Sequence, residues 1–326
     1  MTPGGRLGPP FMPARRRHPA DEGAHFSEGT RQRGDVKGRT SGRGESGPEF
    51  AALPLSCDCH FHVFGPPERY PYGPDLRYAP PLAPLSEYRL VASRLGIERM
   101  VFVQPSAYGR DNACLLDAMR EVGAACRGIV DVDENIPDAE LARLQAAGVC
   151  GVRINVSPVK TPEAGLAAML RPRIERLAAR CAEIGWQLDF LLPGWLTHEL
   201  MDTLRRLPVD FTLAHLGMFL ARDGVGQPGY QELLELLRHG DGRCWVKLTG
   251  VYRISEAPGF ADAAALARAL IGAAPDRIIW GSDYPHLSFA DRVSSVGLFN
   301  LLGRWAPDPA TRQKILVDNP QHLFKF

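Results

Sequence analysis

Two histidines one residue apart, His60 and His62, stand in the run Cys57-Asp58-Cys59-His60-Phe61-His62-Val63-Phe64-Gly65. The run reads as a short strand, and side chains on a strand alternate between faces. Asp58, His60 and His62 are therefore expected on one face, with Cys57, Cys59 and Phe61 on the other. Two imidazoles on one face can hold a metal ion, or can together polarise a substrate oxygen. Further along, other polar residues stand at the ends of short apolar runs. They are Gln104 and Ser106, Asp131 and Asp133, Arg153 and Asn155, Asp189, His215, Lys247 with Arg253 just beyond, and Asp283. Each has an ordinary structural explanation when taken singly. Arg153 can pair with an acid on a helix, His215 can be a satisfied core histidine, and Asp283 can cap the turn before Pro285. Three histidines, an aspartate and an arginine in this one kind of position point instead to a shared functional site.

The elements that must position these residues alternate. From residue 54 onward, eight short apolar strands are each followed by an amphipathic stretch of helical period. Helices are predicted over 86–95, 111–122, 138–147, 163–184, 197–206, 230–238, 261–271, 291–302 and 309–324. Short buried strands joined by helices imply parallel pairing with crossover connections. Eight such units in a chain of this length have the size of a (β/α)8 TIM barrel, an α/β fold whose chemistry sits at the C-terminal ends of its strands. A doubly wound open sheet is the alternative, and it is weakened by the lack of a glycine-rich turn after the first strand. The Pro/Tyr-rich stretch 65–84 is too long for a mere connector and reads as a lid or wall.

Composition narrows the class. The chain has 326 residues, is 45% hydrophobic and 23% charged, and carries a formal net charge of +1. Nothing in that balance points to nucleic acid or to a membrane surface. No run of about 18 apolar residues is present to cross a bilayer. The seven cysteines include no C-x-x-C pair and read as free thiols in a reducing cytoplasm. Residues 1–53 differ in character, with Arg15–Arg17 and abundant glycine, arginine, serine and proline. Such a segment buries too little apolar surface to offset its ordering entropy. His18-Pro19-Ala20-Asp21-Glu22 follows the arginines where a secretory signal needs an apolar core. Interleaved acids argue against an RNA-binding arm. The expected organisation is a poorly ordered leader over 1–53 and a barrel over 54–326.

Asp58-x-His60-x-His62-Val63-Phe64-Gly65-Pro66, Gln104-Pro105-Ser106 with Asp111-Asn112, Gly151-Val152-Arg153, the strand ending in His215, Gly281-Ser282-Asp283-Tyr284-Pro285-His286 and Asp318-Asn319-Pro320 together resemble the amidohydrolase superfamily. The resemblance is to its amidohydrolase-2 branch, in the group of 2-pyrone-4,6-dicarboxylate hydrolase, sulfomuconolactone hydrolase and galactarolactone isomerase. It implies a barrel of the metal-dependent hydrolase type. It implies Asp283 as the general base that takes a proton from water, with His60, His62 and His215 lining the reacting centre. Ser106 and Arg153 match positions that grip a substrate carboxylate, and Arg253 falls near another. Three departures stand out. A second arginine after Arg153 is missing from Ser157-Pro158-Val159-Lys160, which leaves only Lys160, and a lysine cannot copy a bidentate grip. A strand-five tyrosine is absent from Leu188-Asp189-Phe190-Leu191, and Ser288 stands in place of an asparagine.

The expected activity is hydrolysis of a carboxylated lactone or similar cyclic ester by water activated at Asp283. The alternatives are a metal-dependent decarboxylase, a lactone isomerase, or an inactive barrel that binds an acidic ligand. His60, His62, His215 and Asp283 form a three-nitrogen, one-oxygen set suited to zinc. Arg153 stands where two-metal relatives need a bridging carboxylate, which argues against two ions. The expectation is no obligatory metal and at most one zinc. The expected partner is a small carboxylated substrate, with no nucleic acid and no membrane, for a monomer or homodimer.

Overall fold

A computed structural model of the chain describes residues 47–74, 76–157 and 160–326. The eight apolar runs form strands: β1 (Cys57–Phe61), β2 (Arg99–Val103), β3 (Cys126–Val130), β4 (Val149–Asn155), β5 (Gln187–Leu191), β6 (Phe211–Leu213), β7 (Cys244–Leu248) and β8 (Ile278–Trp280). Each pairs in parallel with the next, in the order β1 to β8. Helices cover the outside, including α1 (Leu85–Leu95), α2 (Ala113–Val122), α3 (Asp138–Ala146) and α4 (Leu166–Ile184). The expected (β/α)8 TIM barrel is the fold. β8 meets β1 just past the paired residues. There the Asp283 amide donates to the His60 carbonyl at 2.8 Å, and the His62 amide donates to the Tyr284 carbonyl at 2.8 Å. His60 on β1, His62 just beyond it and Asp283 after β8 are thus fixed by the same pair of backbone bonds.

Alternation along the strands sorts side chains into two layers. Cys57, Cys59, Val101, Val103, Ile129, Trp245 and Ile279 pack inside the barrel. Their strand neighbours, such as Phe102, Val130, Val246 and Trp280, pack outward with the helices. β1 breaks the expected alternation. Its register slips between Asp58 and Phe61, as at a bulge, which turns the following side chains to the other face. Asp58 therefore does not share a face with His60. Its carboxylate accepts from the Tyr88 hydroxyl of α1 at 2.9 Å, and Phe61 stacks on the Tyr88 ring.

Residues 1–46, most of the expected leader, lie outside the described residues. Within 47–53, Phe50 stacks on Phe299 with ring centroids 4.4 Å apart, and Arg304 pairs with Glu49 at 2.6 Å. These residues pack on the barrel rather than ahead of it. The loop 65–84 forms a wall. Phe64 bridges to Ala83, the Gly73 amide donates to the Ala107 carbonyl, and the Tyr70 hydroxyl donates to Asp117. All seven cysteines are free. Among the described residues no helix is long and apolar enough to cross a membrane.

Candidate active site

A cavity of about 280 Å³ opens at the C-terminal ends of the strands, lined among others by His62, Ser106, Arg153, His215, Arg253 and Asp283. Asp283 lies at its floor, fully buried. Its two carboxylate oxygens have different surroundings. Oδ2 accepts from the Tyr252 hydroxyl at 2.6 Å and from Arg253 Nε at 3.0 Å. Oδ1 has no hydrogen-bond partner and lies 3.6 Å from both His60 Nε2 and His62 Nε2. The ring of His215 stands 5.2 Å from that of His60, and its Nδ1 is buried without a partner. His215 sits in the turn just after β6, with a positive φ of 53°.

Glycines make the room for this packing. A Cβ at Gly250, whose φ is +54°, would lie 2.3 Å from His215 Nδ1. A Cβ at Gly281 would lie 2.6 Å from the Cβ of His60. Asp58 secures the same junction from outside, accepting from the amides of His60 at 3.1 Å and Ser282 at 3.0 Å.

A family model described as amidohydrolase matches residues 57–326. The chain belongs to the amidohydrolase family. It is 38% identical to a 4-sulfomuconolactone hydrolase of Hydrogenophaga intermedia over 84% of this chain and 90% of that one. It is 31% identical to a 2-pyrone-4,6-dicarboxylate hydrolase of Comamonas testosteroni, over 86% and 93% of the two chains. A D-galactarolactone isomerase of Agrobacterium fabrum is 30% identical over 86% and 93%. Among solved structures, a putative 2-pyrone-4,6-dicarboxylic acid hydrolase from Pseudomonas putida superposes with a TM-score of 0.73. It is 34% identical, with 84% of this chain and 98% of that one covered.

The electrostatics of this amidohydrolase follow from burial first. Burial pushes His60 well below the ordinary histidine value, aided by the Lys247 cation, and it lowers His62. It takes His215 down to about 3. All three imidazoles are therefore neutral near pH 7. Burial alone would raise Asp283, but Arg253 beside it holds the carboxyl well below the usual range. Asp283 is ionised, and Arg253 is its fixed counterion.

Of the residues expected from sequence, His60, His62, His215, Asp283, Ser106, Arg153 and Arg253 are brought together. Arg153 is almost wholly buried, donates from Nη1 to the Gln104 carbonyl at 2.8 Å and leaves Nε without a partner. Lys160 pairs with Glu163 at 2.5 Å and lines a neighbouring cavity instead. Asp131 and Asp133 are held by Arg110 and Arg173. Tyr252, Tyr78 and Arg77 were not foreseen, although Tyr252 bonds the central carboxylate and the other two line the cavity.

A metal ion has three candidate donors, His60, His215 and Asp283, whose ligand atoms lie within 4.8 Å of one another. His60 opposes that use. A metal-bound histidine normally donates its second ring N–H to a carboxylate or carbonyl. Here His60 Nδ1 faces the Nζ of Lys247 at 3.4 Å. Among these donors His60 thus lacks an acceptor for its second ring nitrogen, and Arg253 pairs with the only carboxylate.

Proposed function

We propose that this amidohydrolase opens a carboxylated lactone or a similar cyclic ester with water activated by Asp283. The observation that carries the reading is the partnerless Oδ1 of Asp283, 3.6 Å from two imidazole nitrogens at the floor of a cavity walled by Arg153, Arg253 and Ser106. Tyr252 and Arg253 hold the carboxylate by Oδ2, so Oδ1 is left to take a proton from water. The water oxygen adds to the ester carbon, and the neutral His60 faces the carbonyl oxygen as it gains charge. The ring C–O bond then breaks, and the proton taken by Asp283 passes to the departing ring oxygen. Arg153 and Ser106 orient a substrate carboxylate by charge-assisted hydrogen bonds. The relatives named as hydrolases of a sulfomuconolactone and of a pyrone dicarboxylate support the reading.

The test is a panel of carboxylated lactones given to the purified full-length protein, with acid release, carbon dioxide and product mass recorded. Stoichiometric acid release with a mass gain of one water is expected. Asp283→Asn is expected to retain ligand binding and lose turnover. A product of unchanged mass marks an isomerase, carbon dioxide marks a decarboxylase, and hydrolysis that survives in Asp283→Asn removes the mechanism.

A further inference from the structure

Beneath the cavity lies a polar layer inside the barrel that the hydrolytic steps do not use. Lys247 on β7 and Asp189 on β5 are both fully buried. Lys247 Nζ hydrogen-bonds Asp189 Oδ2, which also accepts from Thr212 Oγ1 on β6 at 2.7 Å. Burying such a pair costs several kcal/mol per ion in desolvation, which close pairing and further hydrogen bonds offset. Packing alone gives no reason for it, because an apolar layer would fill the same space.

We propose that Lys247 is a positioning residue that fixes the ring proton of His60 on Nε2 and aims it at the reacting centre. An ammonium has three donors and no acceptor. One donor of Lys247 goes to Asp189, and the Nζ lies 3.4 Å from His60 Nδ1. Nδ1 must therefore present a lone pair, because an N–H there would face a cation. A neutral imidazole has one ring proton, so it sits on Nε2, the atom 3.6 Å from Asp283 Oδ1. His62 is held the opposite way. Its Nδ1 lies 2.7 Å from the Val103 carbonyl, which can only accept. The proton of His62 is on Nδ1, and its Nε2 carries a lone pair. The two histidines thus offer different atoms to one centre. His60 gives an N–H to an oxygen that gains charge, and His62 gives an acceptor to a water proton.

This assignment deepens the hydrolytic reading, but the ring proton is observed without substrate, so the two fail separately. The full chain, labelled with 15N-histidine, is examined by long-range 1H–15N correlation at pH 7.5. His60 is assigned by the loss of its signals in His60→Asn. The expected spectrum shows His60 with its proton on Nε2 and His62 with its proton on Nδ1. The double variant Asp189→Asn/Lys247→Met removes both charges, so no lone buried ion remains. In it the His60 signals are expected to move toward the other tautomer or a mixture. kcat is expected to fall roughly 10²-fold, as when one oxyanion donor is lost, with KM little changed. A wild-type His60 with its proton on Nδ1 overturns the proposal. So does a folded double variant that keeps the wild-type tautomer and kcat. Should the double variant not fold, the wild-type spectrum alone decides.

Discussion

Arg253 sets the working range of Asp283. In the resting site its Nε holds Oδ2 of the carboxylate at 3.0 Å, and a carboxyl so held is a weak base. The free enzyme's base appears as the acid limb of kcat/KM, so that limb should lie below the usual carboxylate range in the wild type. In Arg253→Met the largest influence lowering Asp283 is gone while burial, which raises it, stays. The limb should then move to higher pH, and KM for acidic substrates should rise; a pH–rate profile measures both. An unmoved limb would place the titrating base elsewhere. Residues of this kind were legible in sequence where a polar side chain ends an apolar run, as with His60, Arg153, His215 and Asp283. Tyr252 and Tyr78 were not, because turns and loops carry no periodicity to mark a direction. Lys247 and Asp189 were visible as polar strand residues. Their partnership spans 58 positions and depends on strand register, which sequence spacing does not reveal.

At the scale of elements, the turn after β7 determines whether His215 can occupy its place. Gly250 has φ 54° and ψ 33° and would drive a Cβ into the His215 ring. Gly259 has a similar backbone, φ 61° and ψ 16°, with nothing within 4 Å of its would-be Cβ. Alanine at either position incurs the left-handed cost of about 1–2 kcal/mol. Only Gly250→Ala should also displace the histidine, with kcat/KM falling on the order of 10²-fold while Gly259→Ala keeps its rate. Steady-state kinetics of the two variants, with far-UV circular dichroism to establish folding, separates strain from contact. Equal rates would mean that His215 is not at the reacting centre. The strands were the most legible elements: each of the eight apolar runs expected from residue 54 onward forms a strand, since β-branched and aromatic runs stand out from the helical period around them. Helix ends were less so. The helix predicted from 111 begins at Ala113, because Asp111 accepts from the Ala113 amide and turns the chain first. The helix predicted over 197–206 divides into Gly194–Glu199 and Met201–Arg205, and that over 309–324 is interrupted by a π-turn at Lys314–Asp318. The bulge in β1 left no trace in the alternation of residue types, which is why Asp58 was placed on the wrong face.

The whole molecule inherits an acid sensitivity from the chemistry it buries. Burial lowers His60, His62, His215 and His286, the last two to about 3 and about 4. Below the ordinary histidine value, near 6.5, the unfolded chain binds protons at these positions that the folded chain refuses. Stability therefore falls as pH drops from about 6.5 toward the folded values. Asp283, lowered beside Arg253, acts in the same direction below the ordinary carboxylate value. Asp58, raised by burial to about 6, and Asp131, also raised by burial, act the other way, because there the folded chain binds the extra proton. Asp58 does so from about pH 6 downward, but two carboxyls oppose four histidines and a carboxylate, so the net slope is toward loss of stability in acid. Thermal unfolding of the full chain should show Tm several degrees lower at pH 5 than at pH 7.5. Replacing His286, which bonds Ser295 and lies outside the reacting centre, by Gln should flatten part of that slope. A Tm that is level or rises on acidification would mean that the buried imidazoles take up protons in the fold. At pH 5 His60 would then carry a proton on Nδ1 as well, as a cation 3.4 Å from the Lys247 ammonium.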